Sequence, residues 1–200
     1  MELFIKKHNL GLLFGLIVFI ICLLFSFQQT FSNKRLTKKA KDIMDDYTKE
    51  INDACLSINE TNIDSKKKEI LEIIDKYWED VDDDSSFAKK DANHKTKADI
   101  ISEIESAFKT SINSNIAYAN IDVTCDMAYK YKSNCFDVDC ISQSTYQYAG
   151  NIDSNKPSYI TIWGTVSDGD IHDSLTNVSF KKIKGSWKII GILTDGRNNY

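Results

Sequence analysis

The chain has 200 residues, with 25 basic and 29 acidic side chains and a formal net charge of −4 at pH 7. A mildly acidic balance excludes the broad basic face that phosphate backbones require, so nucleic acid is not an expected partner. One proline and eight glycines exclude a low-complexity linker, and the length suits one domain with a real core.

The most hydrophobic segment lies near the start of the chain. Residues 10–27 contain no charged side chain, and at helical rise this run crosses the roughly 30 Å hydrocarbon core of a bilayer. We therefore expect a short tail over residues 1–8 and a transmembrane anchor over residues 9–31. A cleaved secretory signal is the alternative, but the run exceeds the usual core of about 7 to 15 residues and residues 26–32 form a poor cleavage site.

Two features disagree about which side of the membrane holds the rest of the chain. Five basic residues follow the span within residues 34–41 and only Lys6 and Lys7 precede it, which favours a cytoplasmic domain. Four cysteines lie beyond the span, and an even number suits an oxidising compartment. A large folded domain can translocate despite nearby charge. We expect a single-pass protein of the inner (cytoplasmic) membrane with an extracytoplasmic C-terminal domain.

An amphipathic helix is predicted over residues 32–60, where apolar residues recur at helical spacing. Leu36, Ile43 and Tyr47 fit a heptad seam through which two copies would associate. Glu50 interrupts this seam, and the apolar stripe is wider than a two-position seam. A helix that lies on its own domain is therefore favoured over an intermolecular stalk.

A second helix is predicted from about Asp64 to Val81, and acidic residues crowd its end. The segment that begins at Asp80 resembles an EF-hand calcium loop, which needs carboxylates at positions 1, 3, 5 and 12. Those positions hold Asp80, Asp82, Asp84 and Asp91. Ser85 replaces the required glycine, and Asp91 is shorter than the usual glutamate. A solvated acidic helix end or loop is the favoured interpretation.

A third helix and then a sheet follow. Thr96 and Asp99 form a capping-box pattern at the helix start. From Ile121 to Tyr131 every second residue is apolar or aromatic, which is typical of a long strand with one buried face. Strands are also predicted near residues 159–167, 175–183 and 187–193. Helices followed by antiparallel strands indicate an α+β domain over residues 61–200, with helices packed on a curved sheet.

The last two strands form a hairpin in which a Lys-Gly turn leads into Ser-Trp-Lys-Ile-Ile-Gly-Ile over residues 186–192. Placed after helices and a long alternating strand, this hairpin resembles the cone-shaped fold of nuclear-transport-factor-2-like (NTF2-like) proteins over roughly residues 60–195. A short tail, one span and an extracytoplasmic domain are also similar to VirB8-type scaffolds of bacterial type IV secretion and conjugation machines. The resemblance implies a non-enzymatic scaffold or interaction domain of a bacterial envelope complex, with protein partners and a homo-oligomer as expectations.

The same resemblance leaves an anchored small-ligand-binding or catalytic cone as the alternative. Isomerases and dehydratases of the superfamily use a carboxylate or a histidine inside the cone, which directs attention to His94 and to His172 with Asp170 or Asp173. No third group is identifiable to orient either histidine. The sequence therefore assigns no catalytic residue and predicts no cofactor.

The cysteines beyond the span suggest disulfides. Cys135 and Cys140 bracket a short segment after the long strand, and we expect a local bridge between them. Cys125 is expected on the inward face of that strand and Cys55 on the first helix, so a second bridge would require the helix to pack on the sheet. Free thiols are the alternative if the domain is cytoplasmic.

Overall fold

The computed structural model describes residues 2–56, 58, 61–81, 94–110, 117–148, 158–167 and 174–195. Over these residues the chain forms three helices: α1 Glu2–Leu56, α2 Ile63–Tyr77 and α3 Lys97–Thr110. It also forms seven strands: β1 His94–Lys95, β2 Ala117–Lys132, β3 Cys135–Tyr148, β4 Ser158–Thr161, β5 Gly164–Ser167, β6 Ser174–Ile183 and β7 Ser186–Asp195. The predicted α+β class is confirmed.

Helix α1 continues from the apolar segment into the domain without a break. Its 55 residues correspond to about 80 Å at helical rise. The large apolar side chains between Leu12 and Phe31 are 42 to 74% exposed. This part of the helix is long and apolar enough to span a membrane.

The second half of α1 forms one layer of the domain. Ala40, Met44 and Tyr47 are completely buried. The Thr37 hydroxyl accepts a hydrogen bond from the backbone amide of Ala128 at 3.0 Å, and Asn52 donates to the carbonyl of Ile121 at 3.4 Å. Between these contacts the helix advances about 22 Å and the strand about 23 Å in the opposite direction. Helix α1 and strand β2 therefore run antiparallel along a common length.

The strands form one sheet in the order β1-β7-β6-β3-β2-β4-β5. In this order, neighbouring strands from β1 to β2 pair antiparallel. Strand β4 pairs parallel with β2 and antiparallel with β5. Lys184 and Gly185 join β6 to β7 with φ values of 49° and 92°. Positive φ at both central residues is typical of the tight hairpin turns that match strand twist, so the predicted final hairpin is present.

The helices cover one face of the sheet, and side chains fill the space between them. Phe136 and Phe180 stack across β3 and β6 with ring centroids 4.9 Å apart. The Tyr47 hydroxyl donates to the carbonyl of Ile162 at 2.6 Å. Trp78, which follows α2, is completely buried and bridges to Ile189 of β7. The core therefore joins α1, α2 and the sheet.

The start of α3 is capped as the sequence predicts. The Asp99 carboxylate accepts from the Thr96 amide at 2.7 Å, and the Asp99 amide donates to the Thr96 hydroxyl at 3.3 Å. Asp80 adds a carboxylate oxygen 3.3 Å from the amide of Ala98. This helix end, with unpaired amides in its first turn, is where carboxylates are most favourable.

Candidate functional site

The face of the sheet opposite the helices carries an exposed apolar patch. Along β3, Phe136, Val138 and Cys140 belong to the core, so Asp137, Asp139 and Ile141 lie on the opposite face. We call the latter the open face. Outside α1, the large apolar side chains that the described chain leaves exposed are Met127, Tyr129 and Ile141, at 48, 44 and 42%. These three residues form the open-face patch.

An irregularity in β2 brings two of these side chains to the open face. Cys125 pairs with Cys140, but the next pair joins Met127 to Asp139, so Asp126 is an extra residue in the strand. Such a β-bulge changes which alternate residues face the core. The sequence predicts that Cys125, Met127 and Tyr129 share the buried face. That prediction is wrong beyond Cys125, because Ala128 is completely buried instead.

Polar side chains of β3 and of its neighbour β6 lie beside the patch. The hydroxyl of Ser179 donates to Asp137 at 2.7 Å, and Asn177 donates to Asp139 at 2.9 Å. Asp137 is only 7% exposed. Burial raises the pKa of this carboxyl to about 6, repulsion from Asp139 adds to the rise, and the hydrogen bond from Ser179 opposes it.

One further acceptor on this face is unsatisfied. The Asn177 side-chain oxygen is buried and has no hydrogen-bond partner among the described residues. Buried polar atoms are normally paired within a protein, with water or with a bound partner. The open face thus combines exposed apolar contact area with polar side chains, as protein interfaces do.

A second feature is an open groove of about 370 Å³ between α1 and β2. Its lining is mainly polar and acidic: Asp45, Thr48, Lys49, Asn52, Asp53, Asp122 and Val123. The Thr48 hydroxyl is buried and has no hydrogen-bond partner in the described part of the chain. Within that part, no group of three histidine, cysteine or acidic side chains is arranged to hold a metal ion.

The predicted bridge between Cys135 and Cys140 is not formed. Both residues lie on β3, and five steps along a strand separate them by about 17 Å and place them on opposite faces. A disulfide requires Cα atoms within about 7 Å. All five cysteines are free.

The predicted bridge between Cys55 and Cys125 is not formed either. Helix α1 does pack on the sheet. Asn52 contacts Ile121, which is four residues along β2 from Cys125. Cys55 lies beyond Asn52 on α1, in the direction away from Cys125. Burial raises the pKa of Cys55 to about 12, so its thiol is inert at neutral pH. Cys125 instead has its sulfur 3.5 Å from that of Cys140.

The predicted self-association face packs within the chain. Tyr47 is completely buried, and Leu36 and Ile43 are half-buried against the same core. Glu50, which interrupts the heptad pattern, accepts hydrogen bonds from Lys76 at 2.6 Å and Tyr77 at 2.8 Å. These contacts attach α2 to α1, so this helix surface serves the protein's own domain.

The remaining predicted site residues are only partly described. Asp80 caps α3 and is exposed, while Asp82, Asp84 and Asp91 of the calcium-loop hypothesis lie outside the described residues. The same holds for His172, Asp170 and Asp173. His94 lies on β1 at the sheet edge, opposite Leu193 of β7.

Comparisons with protein-family models, with curated proteins and with solved structures find no match to this chain.

Proposed function

We propose that the protein is a membrane-anchored, non-enzymatic interaction domain of a bacterial envelope complex, and that the open-face patch binds a protein partner. The observation that carries the proposal is the exposure of Met127, Tyr129 and Ile141 on a sheet face that no described helix covers. Tyrosine and methionine are enriched at protein interfaces, and clustered exposed apolar side chains mark interaction sites.

The filled core supports this proposal over a catalytic cone. Enzymes and ligand-binding proteins need an enclosed, largely apolar pocket with a few convergent polar groups. In the described chain, Tyr47, Trp78 and Phe136 are among the large side chains that fill the space between helices and sheet. The groove lies beside α1 and is open to solvent.

We extend the proposal to an NTF2-like cone of the VirB8-type scaffold class. Support comes from the element order, with helices before an antiparallel sheet, and from a single apolar helix near the start of the chain. The domain in this proposal lies outside the cytoplasm, attached to the inner membrane. A second copy of the chain is one partner that the patch would fit.

A small-ligand-binding role is the second candidate, and the groove is the observation that favours it. Thr48 and Asn52 bring buried polar groups to a site that also holds Asp45 and Asp122. Such a lining suits a small polar or cationic molecule. In this case Thr48→Val would abolish binding in a screen of small polyols and amines by thermal shift, whereas variants of the patch would leave that binding unchanged.

Site-specific photocrosslinking in cells tests the leading proposal. A photoreactive amino acid replaces Tyr129 in the full-length protein, and the same substitution at Glu72, exposed on α2, is the matched control. We expect a crosslinked product of defined mass from position 129 and none from position 72, because only the patch is in contact with a partner.

The mass of the product identifies the type of partner. A product of twice the chain mass indicates self-association, and a different mass indicates a heterologous protein that peptide sequencing then identifies. Absence of any product at positions 127, 129 and 141, in cells that make the protein at its natural level, would contradict the proposal.

A further inference from the structure

Two thiols face each other across adjacent strands near the centre of the sheet. Cys125 of β2 and Cys140 of β3 are direct partners in the antiparallel register. Their sulfurs are 3.5 Å apart, with the Cys140 thiol donating to the Cys125 sulfur. Directly opposed residues of antiparallel strands have Cα atoms about 4.5 to 5.5 Å apart, which lies within the range of about 4.4 to 6.8 Å found in disulfides.

We propose that Cys125 and Cys140 form a reversible cross-strand disulfide by exchange with an external disulfide. The strand register already provides the backbone separation. Closing the bond therefore requires a side-chain rotation that brings the sulfurs from 3.5 Å to about 2 Å, and no rearrangement of the strands.

The two thiols differ in access. Cys125 is half-buried, whereas Cys140 is completely buried. Cys125 lies two residues along β2 from Val123, which lines the open groove beside α1, and it is the more exposed of the two thiols, so an oxidant reaches Cys125 first. Cys140 has no exposed surface and lies beside Cys125, as expected for a resolving thiol.

The hydrogen bond and the charges around the two thiols also indicate that Cys125 attacks and Cys140 resolves. The hydrogen bond from Cys140 lowers the pKa of the Cys125 thiol and Lys41 contributes in the same direction, while partial burial and the carboxylate of Asp45 oppose them. That hydrogen bond and burial raise the pKa of Cys140. Because the thiolate is the nucleophile, Cys125 is the attacking group.

The exchange has two steps. The Cys125 thiolate attacks one sulfur of a protein or low-molecular-weight disulfide, forming a mixed disulfide and expelling one thiol. Cys140 then loses its proton and attacks the Cys125 sulfur, which expels the second external thiol. Overall, two protein thiols are oxidised, one external disulfide is reduced, and two electrons and two protons pass to the external thiols.

Mapping of the full-length protein in detergent tests the proposal. The protein is incubated with excess oxidised glutathione, its free thiols are alkylated under denaturing conditions, and it is digested with trypsin. We expect a linked peptide pair, sensitive to dithiothreitol, in which fragmentation spectra place the link between Cys125 and Cys140 and the alkyl group on Cys135. The Cys135→Ser variant should retain this link and the Cys140→Ser variant should lose it.

Thermal unfolding gives an independent measure. The bond closes a 15-residue loop, so oxidation should raise the melting temperature by roughly 5 to 10 °C in the wild type and in Cys55→Ser. Cys125→Ser should lose the rise. Full alkylation of Cys125 and Cys140 in wild-type protein after oxidation would overturn the proposal, as would a link from Cys125 to Cys55 or Cys135. These wild-type results decide the matter even if a variant fails to fold.

Discussion

Asp137 is a carboxyl group that the sheet buries on its open face. Burial raises its pKa from 3.8 to about 6, so between these values the folded protein binds a proton more tightly than the unfolded chain does. The stability associated with the neutral acid is fully present below about pH 3.8 and is lost as the pH rises through about 6. Above this window the folded domain contains a buried carboxylate that accepts a hydrogen bond from Ser179.

Asp137→Asn should therefore stabilise the domain at pH 7.5. The amide keeps an oxygen for the Ser179 hydroxyl and removes the buried charge, so the free energy of unfolding should rise by about 1 to 3 kcal/mol. Near pH 4 the two proteins should be equally stable. Urea unfolding followed by tryptophan fluorescence measures this, with exposed Asp122→Asn as the control. A gain that is the same at both pH values would contradict the argument.

Tyr47 is a second residue whose contribution can be isolated. Its hydroxyl donates to the carbonyl of Ile162 in a fully buried setting. Tyr47→Phe leaves that carbonyl without its donor and should lower the free energy of unfolding by about 1 to 3 kcal/mol. Tyr129→Phe, on the exposed patch, should change it by no more than about 0.5 kcal/mol. Equal effects of the two substitutions would show that the hydrogen bond contributes little.

At the scale of elements, the bulge in β2 decides which side chains reach the open face. The alternating pattern from Ile121 to Tyr131 correctly predicts a long strand, because spacing alone determines the period. It does not reveal the extra residue at Asp126, which depends on pairing with β3. The alternation therefore predicts that Met127 and Tyr129 face the core, and nothing in the sequence indicates the open-face patch.

Deleting Asp126 should be tolerated. The residue is exposed and unpaired in the ladder, and its removal leaves Cys125 and Ala128 facing the core in a regular strand. We expect a change in unfolding free energy of about 1 kcal/mol or less.

Deletion of Thr124 is the matched control for this variant. Thr124 is also exposed on β2, but its removal leaves a regular strand in which Asp126 faces the core and Cys125 turns outward. Burial of that carboxyl should cost several kcal/mol. Urea unfolding of both variants makes the comparison, and equal destabilisation would contradict the role assigned to the bulge.

At the scale of the whole molecule, α1 links the apolar segment to the domain core as one continuous helix. The sequence predicts the first half of α1 from the length of its apolar run and the second half from helical spacing. It predicts the final hairpin from its turn residues and the start of α3 from its capping box. Strand β3, Cys135–Tyr148, is not predicted from the sequence. The expected disulfide between Cys135 and Cys140 fails for this reason, because both cysteines lie on that one strand.

The shared core predicts where the chain can be cut. A fragment of residues 32–200 should fold cooperatively, since it keeps Ala40, Met44, Tyr47 and Ile51, all at most 1% exposed. A fragment of residues 61–200 lacks this layer and should fail to fold, because losing several buried side chains at about 1.5 to 3 kcal/mol each removes a free energy comparable with the whole stability of a typical domain. Circular dichroism melts distinguish the two. A cooperative melt of the shorter fragment would contradict the assignment of α1 to the core.

Thiol labelling in native membranes tests most directly whether a partner covers the open-face patch. Tyr129→Cys and Glu72→Cys are made separately in a Cys125→Ser background, and the rate of maleimide labelling at each introduced thiol is measured by mass spectrometry in permeabilised membranes. We expect position 129 to react about fivefold more slowly than position 72, because an interface core excludes water and reagent. After purification in detergent at low concentration, the two rates should become similar. Equal rates at both positions in the native membrane would contradict the account.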